Sequence, residues 1–236
     1  MKTSTTPNRN ALATAWRPAS LALALSLFAL NALAGGVFPP HSHPYGKSYS
    51  EWSAALWQWS MQLPLAGHPA VDPNASCDVG QSGPVWFLAA PFGTTEHTCS
   101  IPHGKALFLT LLGAECSTLE PDPFHGDTEE QQRACAKYWA DHIKDVFCFI
   151  DGHPVANLSA YRVSSPQFEF TAPTPWIFGD TGGTGTSVAD GYYVLVVPLS
   201  SGTHTLRYGA RFLFTQADDG FDLDLPADAT FHLTVE

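Results

Sequence analysis

The sequence predicts a mainly β protein, a single antiparallel β-sandwich carrying two packed α-helices. Three observations predict it. Nine short stretches alternate apolar and polar residues or are wholly apolar, whereas only two repeat apolar residues at intervals of three and four. Turn formers such as Asp151-Gly152 and Ser201-Gly202 separate these stretches, in a chain with 19 Gly and 19 Pro. Hydrophobic residues, 44% of the 236 with aromatics at 12%, provide for a packed core. No internal repeat or linker divides the chain, so residues 35–236 read as one domain. Helical bundles, coiled coils and wholesale disorder do not fit this pattern.

Residues 1–34 read as a cleaved signal peptide. Lys2, Arg9 and Arg17 stand there without an acid. The apolar run Leu21–Leu33, broken only by Ser26 and Asn31, then leads to Ala32-Leu33-Ala34 before Gly35. The run falls short of the roughly 20 residues that span a bilayer, and no second one follows. A retained N-terminal anchor is the alternative; after cleavage no membrane span is expected. The whole chain carries Lys+Arg 11 against Asp+Glu 22, net −11. Loss of the segment leaves 8 basic side chains against 22 acidic, net −14. Such a surface repels phosphate and anionic lipid, which excludes a nucleic-acid binder.

Export places the five cysteines in an oxidising compartment. Sequential pairing, Cys77 with Cys99 and Cys116 with Cys135, closes two modest loops, although four cysteines allow three arrangements. Cys148 lies in the apolar run Val146–Ile150, a strand expected to be buried on both faces, and is the odd, buried thiol.

The first helix spans Ser48–Pro64, near 49–63, with Trp52, Ala55, Leu56, Trp59 and Leu63 on one face. Ser48 and Glu51 form an S-x-x-E capping box and Pro64 ends it. Trp57 and Met61 point to the opposite face, either under a later segment or as an exposed aromatic patch. Strands are expected at Val85–Ala89 and Ala106–Leu112. The second helix, near 128–144, starts at Asp127 or Thr128 with Glu129 and Glu130 in its first turn. Its expected apolar face is Cys135, Tyr138, Trp139, His142 and Val146, which makes His142 a core histidine. Further strands follow at Val146–Ile150, Tyr161–Val163, Gln167–Thr171, Tyr192–Leu199, Thr203–Tyr208, Arg211–Phe214 and Thr230–Val235.

The stretch Gly191–Tyr208, with its Leu199-Ser-Ser-Gly202-Thr-His204 turn, resembles the late hairpin of immunoglobulin-like and related secreted β-sandwich domains. The resemblance implies an immunoglobulin-like or jelly-roll-like sandwich. The wider set Tyr45-Gly-Lys47-Ser-Tyr49, Glu51-Trp52-Ser, Trp57-Gln58-Trp59, Gly80–Leu88 and Cys99–Phe108 resembles a group of uncharacterised exported bacterial proteins. That resemblance implies secretion and a common fold and carries over no activity.

Several residues qualify for chemistry. His41, His43, His68, His97, His103 and His125 lie in expected loops, and His41 and His43 with an acid brought in by the fold are the candidate metal ligands, without any recognised third-ligand spacing. Asp218, Asp219 and Asp222 form a possible calcium loop, although Asp222 and Asp224 also alternate as the solvated face of a strand. No cofactor is expected beyond such a calcium or transition-metal ion. The glycine-rich Gly179–Thr186 reads as a mobile surface loop. Glu51 and His103 are the candidate acid and base of a secreted hydrolase. Trp57, Gln58, Trp86 and Trp176 are the candidate ligand surface. The expectation is a secreted or periplasmic, non-catalytic protein that binds a glycan or another extracellular polymer. The alternatives are that hydrolase and an envelope interaction module.

Overall fold

A computed structural model describes residues 1–3 and 36–236. The signal-peptide reading of 1–34 therefore lies outside the described residues, apart from the first three. Ten strands follow in chain order: β1 (Val85–Leu88), β2 (Gly93–Ile101), β3 (Ala106–Ser117), β4 (Ile143–Ile150), β5 (His153–Pro154), β6 (Arg162–Ser164), β7 (Phe168–Ala172), β8 (Gly183–Val196), β9 (Gly202–Phe214) and β10 (Leu223–Val235). The helices are α1 (Tyr49–Gln62), α2 (Glu129–Asp141) and the short α3 (Gln216–Asp219). No described helix is long and apolar enough to cross a membrane.

The strands form two sheets, β1-β3-β8-β6 with β7 also paired to β8, and β2-β10-β9-β4-β5. Between them Leu107, Leu109, Val194, Val196, Cys148, Ile150, Leu206, Phe231 and Leu233 share one buried cluster. This is the expected sandwich with one correction. Each sheet ends in a parallel pair, β1 with β3 and β2 with β10. The cause is β2, which the apolar pattern did not reveal because only His97, Cys99 and Ile101 along it are buried. It crosses to the opposite sheet between β1 and β3, so β3 returns beside β1 in the same direction.

Other elements are longer than expected. Thr203–Tyr208 and Arg211–Phe214 are one continuous strand, β9. The second half of the glycine-rich segment is not a loop but the start of β8, paired to β7 from Ala172↔Gly183 to Phe168↔Ser187. Farther along β8, Gly191 faces Gly113 across the sheet; a Cβ on Gly191 would stand 2.5 Å from Gly113 Cα. β4 is buried on one face only: Cys148 and Ile150 point into the core, while Phe147 and Phe149 are half-buried outside, with Arg207 over the Phe147 ring.

Ser48 caps α1 in the expected reciprocal box with Glu51. The helix is covered on both sides. Trp52 and Leu56 enter the main core, while Ala54, Met61 and Trp57 pack with Phe168, Phe170, Trp176 and Ala189. In α2, capped by Thr128, the buried positions are Gln132, Ala136 and Ala140 rather than the larger residues beside them. The two alanines let the helix sit closely on β3 and β8, with Tyr138 and Trp139 at its flank. Both expected disulfides are present, Cys77–Cys99 and Cys116–Cys135, with Cα separations of 5.7 and 6.0 Å. Cys148 is free and buried, and burial pushes its thiol up to about 12, which leaves it protonated and inert at neutral pH.

Candidate functional site

The four residues expected to form an aromatic surface do not form one. Trp86 is 7% exposed and Trp176 2% exposed, each within a core cluster. Trp57 is half-buried and donates from Nε1 to the Tyr193 hydroxyl at 2.9 Å. Gln58 donates from Nε2 to the Glu169 carbonyl at 2.8 Å, bracing α1 against β7. Their types suited ligand binding, but the rings of Trp86 and Trp176 are spent in the core, and Trp57 and Gln58 find their hydrogen-bond partners within the protein.

Nor do the candidate acid and base meet. Glu51 accepts from the Ser48 backbone N–H at 2.7 Å and from its hydroxyl at 2.8 Å. The Ser48 backbone bond above all holds its carboxyl below the ordinary carboxylate range, the wrong direction for a general acid. His103 lies in the exposed turn between β2 and β3, where its backbone N–H donates to the Glu236 carbonyl. His41 and His43 are exposed, and among the described residues no group of three His, Cys, Asp or Glu side chains converges as a metal site. His97 is on β2, not in a loop, and stacks on Phe231 at 4.6 Å. His68 is buried and bridges the Ser60 carbonyl and the Ala70 N–H.

The acidic candidates hold up a short helix. Asp218 accepts from the Thr215 hydroxyl, Asp219 from the Thr215 N–H and Asp222 from the Gln216 N–H. Asp224 and Asp228 pair with Arg211 and Arg207. Asp219 also reaches His142 Nε2 at 2.8 Å, so the histidine expected in the core instead caps α2 and joins it to α3. The Thr215 N–H first, and His142 with it, keep Asp219 below its ordinary range.

These bonds assemble an aromatic face that the sequence did not mark. Phe214 stacks between His142, at 4.0 Å, and Phe221, at 5.2 Å, with Trp139 edge-on at 5.0 Å and Tyr138 at 5.8 Å. Phe124 stacks on Trp139 at 4.6 Å. Phe214 is buried and fixes the group, whereas Tyr138 is 44% and Phe221 42% exposed. The hydroxyl of Tyr138 reaches Asp219 at 3.4 Å, and Asp218 and Asp222 stand exposed on the same short helix and the turn after it. Rings flanked by carboxylates can stack on an apolar sugar face and accept from its hydroxyls. The signal was available: Tyr138, Trp139 and His142 share a helix side, but that pattern reads equally as core.

A solvent-open cleft of about 540 Å³ adjoins the same apolar cluster, lined by Ile143, Val146, Leu158 and Tyr192 with Lys144 and Asp145. It opens where β4 bulges between Lys144 and Phe147, with Asp145 in the left-handed region at φ 54°.

Two further polar groups were not singled out in the sequence. Asp151, His204 and Ser200 lie in line, with Nδ1 2.7 Å from Asp151 Oδ2 and Nε2 3.0 Å from the Ser200 carbonyl and 3.3 Å from its hydroxyl. Both ring nitrogens thus face acceptors. That arrangement favours the doubly protonated ring, which cannot take a proton from Ser200, so the array ties two turns and does not activate a nucleophile. Glu115 and Glu120 are buried side by side next to Ser117 and Ser187. The one sequence sign of this pair was an acid inside the apolar run of β3.

No protein-family model and no curated protein matches the sequence. Among solved structures, the solution structure of amebosin aligns at 11% identity over 62% of this chain and 99% of that one, with a TM-score of 0.18, too low to relate the folds.

Proposed function

We propose that this is a secreted or periplasmic, non-catalytic protein that binds a glycan or another extracellular polymer through the face made by Tyr138, Trp139, Phe221 and the carboxylates of Asp218 and Asp222. The observation that carries the reading is the exposure of Tyr138 and Phe221 around a buried Phe214 that fixes their geometry. Rings held in place lose little freedom on binding, which suits a stacking platform. The two disulfides support work in an oxidising compartment. Binding is favoured over hydrolysis because Asp218, Asp219 and Asp222 are each engaged by a backbone N–H or a hydroxyl at the start of α3.

The test is co-sedimentation with insoluble glycans and peptidoglycan, with mass spectrometry of the supernatant. The protein is expected to sediment with at least one of them, and Tyr138→Ala and Phe221→Ala are each expected to weaken that binding about tenfold, roughly 1.4 kcal/mol. Release of fragments would make it an enzyme. A Tyr138→Ala/Phe221→Ala double variant that binds like the parent would remove this face from consideration.

A further inference from the structure

Glu115 lies on β3 with its side chain fully enclosed, and Glu120 closes the turn that follows the strand. The turn is built around Ser117. Its hydroxyl accepts from the backbone N–H groups of Leu119 and Glu120 at 3.3 Å and donates to Glu120 Oε2 at 2.9 Å. Across the sheet, Ser187 donates to Glu115 and also lies 2.9 Å from the Cys116 carbonyl. One hydroxyl hydrogen serves two acceptors, so if it goes to the carbonyl the Ser187 oxygen is left free to act as a ligand toward Glu115.

The other Glu115 oxygen, Oε1, is buried and receives no hydrogen bond from any N–H or hydroxyl; its carboxyl neighbour is Glu120. Among the described residues no Lys, Arg or His side chain pairs with either acid. The nearby His125 bonds the backbone carbonyl of Glu120 and the side chain of Asp127, not the Glu120 carboxyl. Two adjacent carboxylates enclosed without a counter-charge are not tolerated in an interior, so the pair holds either a proton or a metal cation.

The groups left to act as ligands are all oxygens, two carboxylates and the Ser187 hydroxyl, since Ser117 spends both its lone pairs on the Leu119 and Glu120 N–H groups. An oxygen-only set selects a hard cation. Two carboxylates neutralise a divalent ion, and their capacity for bidentate contact in a dry enclosure suits calcium better than magnesium, which keeps its waters. We propose that Glu115, Glu120 and Ser187 form a calcium site, with Ser117 holding the Glu120 carboxylate in place, that fastens the end of β3 to β8 and to the turn leading into α2. It lies beside the Cys116–Cys135 disulfide and uses none of the aspartates that the sequence put forward for calcium.

The experiment strips the protein with EGTA, then titrates it with calcium chloride by calorimetry and follows thermal melting at pH 7.5. One calcium per chain and a melting point raised several degrees at saturation are expected. Glu120→Gln is expected to lose both effects, while its metal-free melting point stays at or above the parent's because the like-charge contact is gone. An Asp218→Asn/Asp222→Asn variant is expected to bind calcium like the parent. The proposal is overturned if the parent neither binds calcium nor gains stability from it, or if Glu120→Gln binds as the parent does; the pair then holds a proton. Should Glu120→Gln fail to fold, calcium retained by the parent through gel filtration decides by atomic emission: one per chain supports the site, none overturns it.

Discussion

His204 is fixed by a carboxylate on one side and a carbonyl on the other, and this makes its contribution dependent on pH. Burial disfavours its charge, but the bonds to Asp151 and to the Ser200 carbonyl outweigh that and raise it above the ordinary 6.5. For Asp151, burial pushes upward, and the bonds from His204 and the Thr205 N–H more than reverse it, leaving it below 3.8. A group raised on folding stabilises fully below its unfolded value and loses that effect as pH rises through the folded one; a lowered acid does the opposite. The latch is therefore strongest between the two ordinary values, roughly pH 4 to 6.5. The melting point of His204→Gln is expected to fall furthest below the parent's near pH 5.5 and to approach it by pH 9. A gap that stays constant from pH 5 to 9 would show that the ring acts without its charge. In the sequence His204 belonged only to a turn signature, since Asp151 is 53 positions away.

At the scale of elements, the signals that were legible are those carried by a few neighbouring residues. The capping box of α1 is one. Ser48→Ala is expected to cost about 1 kcal/mol in denaturant unfolding. Glu51→Gln keeps an oxygen for the Ser48 N–H and is expected to cost less, with glycan binding unchanged. A much larger loss of function than of stability in Glu51→Gln would return that residue to the list of chemical groups. What was not legible depends on the opposing surface. The seam of α2 is Gln132, Ala136 and Ala140 because it rests tightly on β3 and β8, whereas a search for large apolar residues selects Tyr138 and Trp139. β2 is similarly hidden, since its exposed residues Glu96, Thr98 and Ser100 lie at a sheet edge and dilute its pattern. Without β2 the parallel edges cannot be inferred, because it is the crossing of β2 that returns β3 alongside β1.

Across the whole molecule the two disulfides close loops of similar length, with sequence separations of 22 and 19, but they fasten different parts. Chain-entropy arguments give each about 3 kcal/mol. Cys77–Cys99 ties β2 to the segment before β1, away from the aromatic face. Cys116–Cys135 ties β3 to α2, the helix that carries Tyr138 and Trp139. Replacing either pair by Ser is expected to lower the unfolding free energy by about that amount. The effects on binding should differ. Without Cys116–Cys135, α2 is held by its small-residue seam, by Gln132 at Thr186 and by Arg133 at Ser164 and Ser165, so Tyr138 loses its fixed position over Phe214. Glycan co-sedimentation measured well below both melting points is then expected to weaken for Cys116→Ser/Cys135→Ser and to stay at the parent's level for Cys77→Ser/Cys99→Ser. Equal binding by the two variants would mean that the aromatic face does not depend on how α2 is fastened, and the platform would have to be sought at the cleft beneath β4 instead.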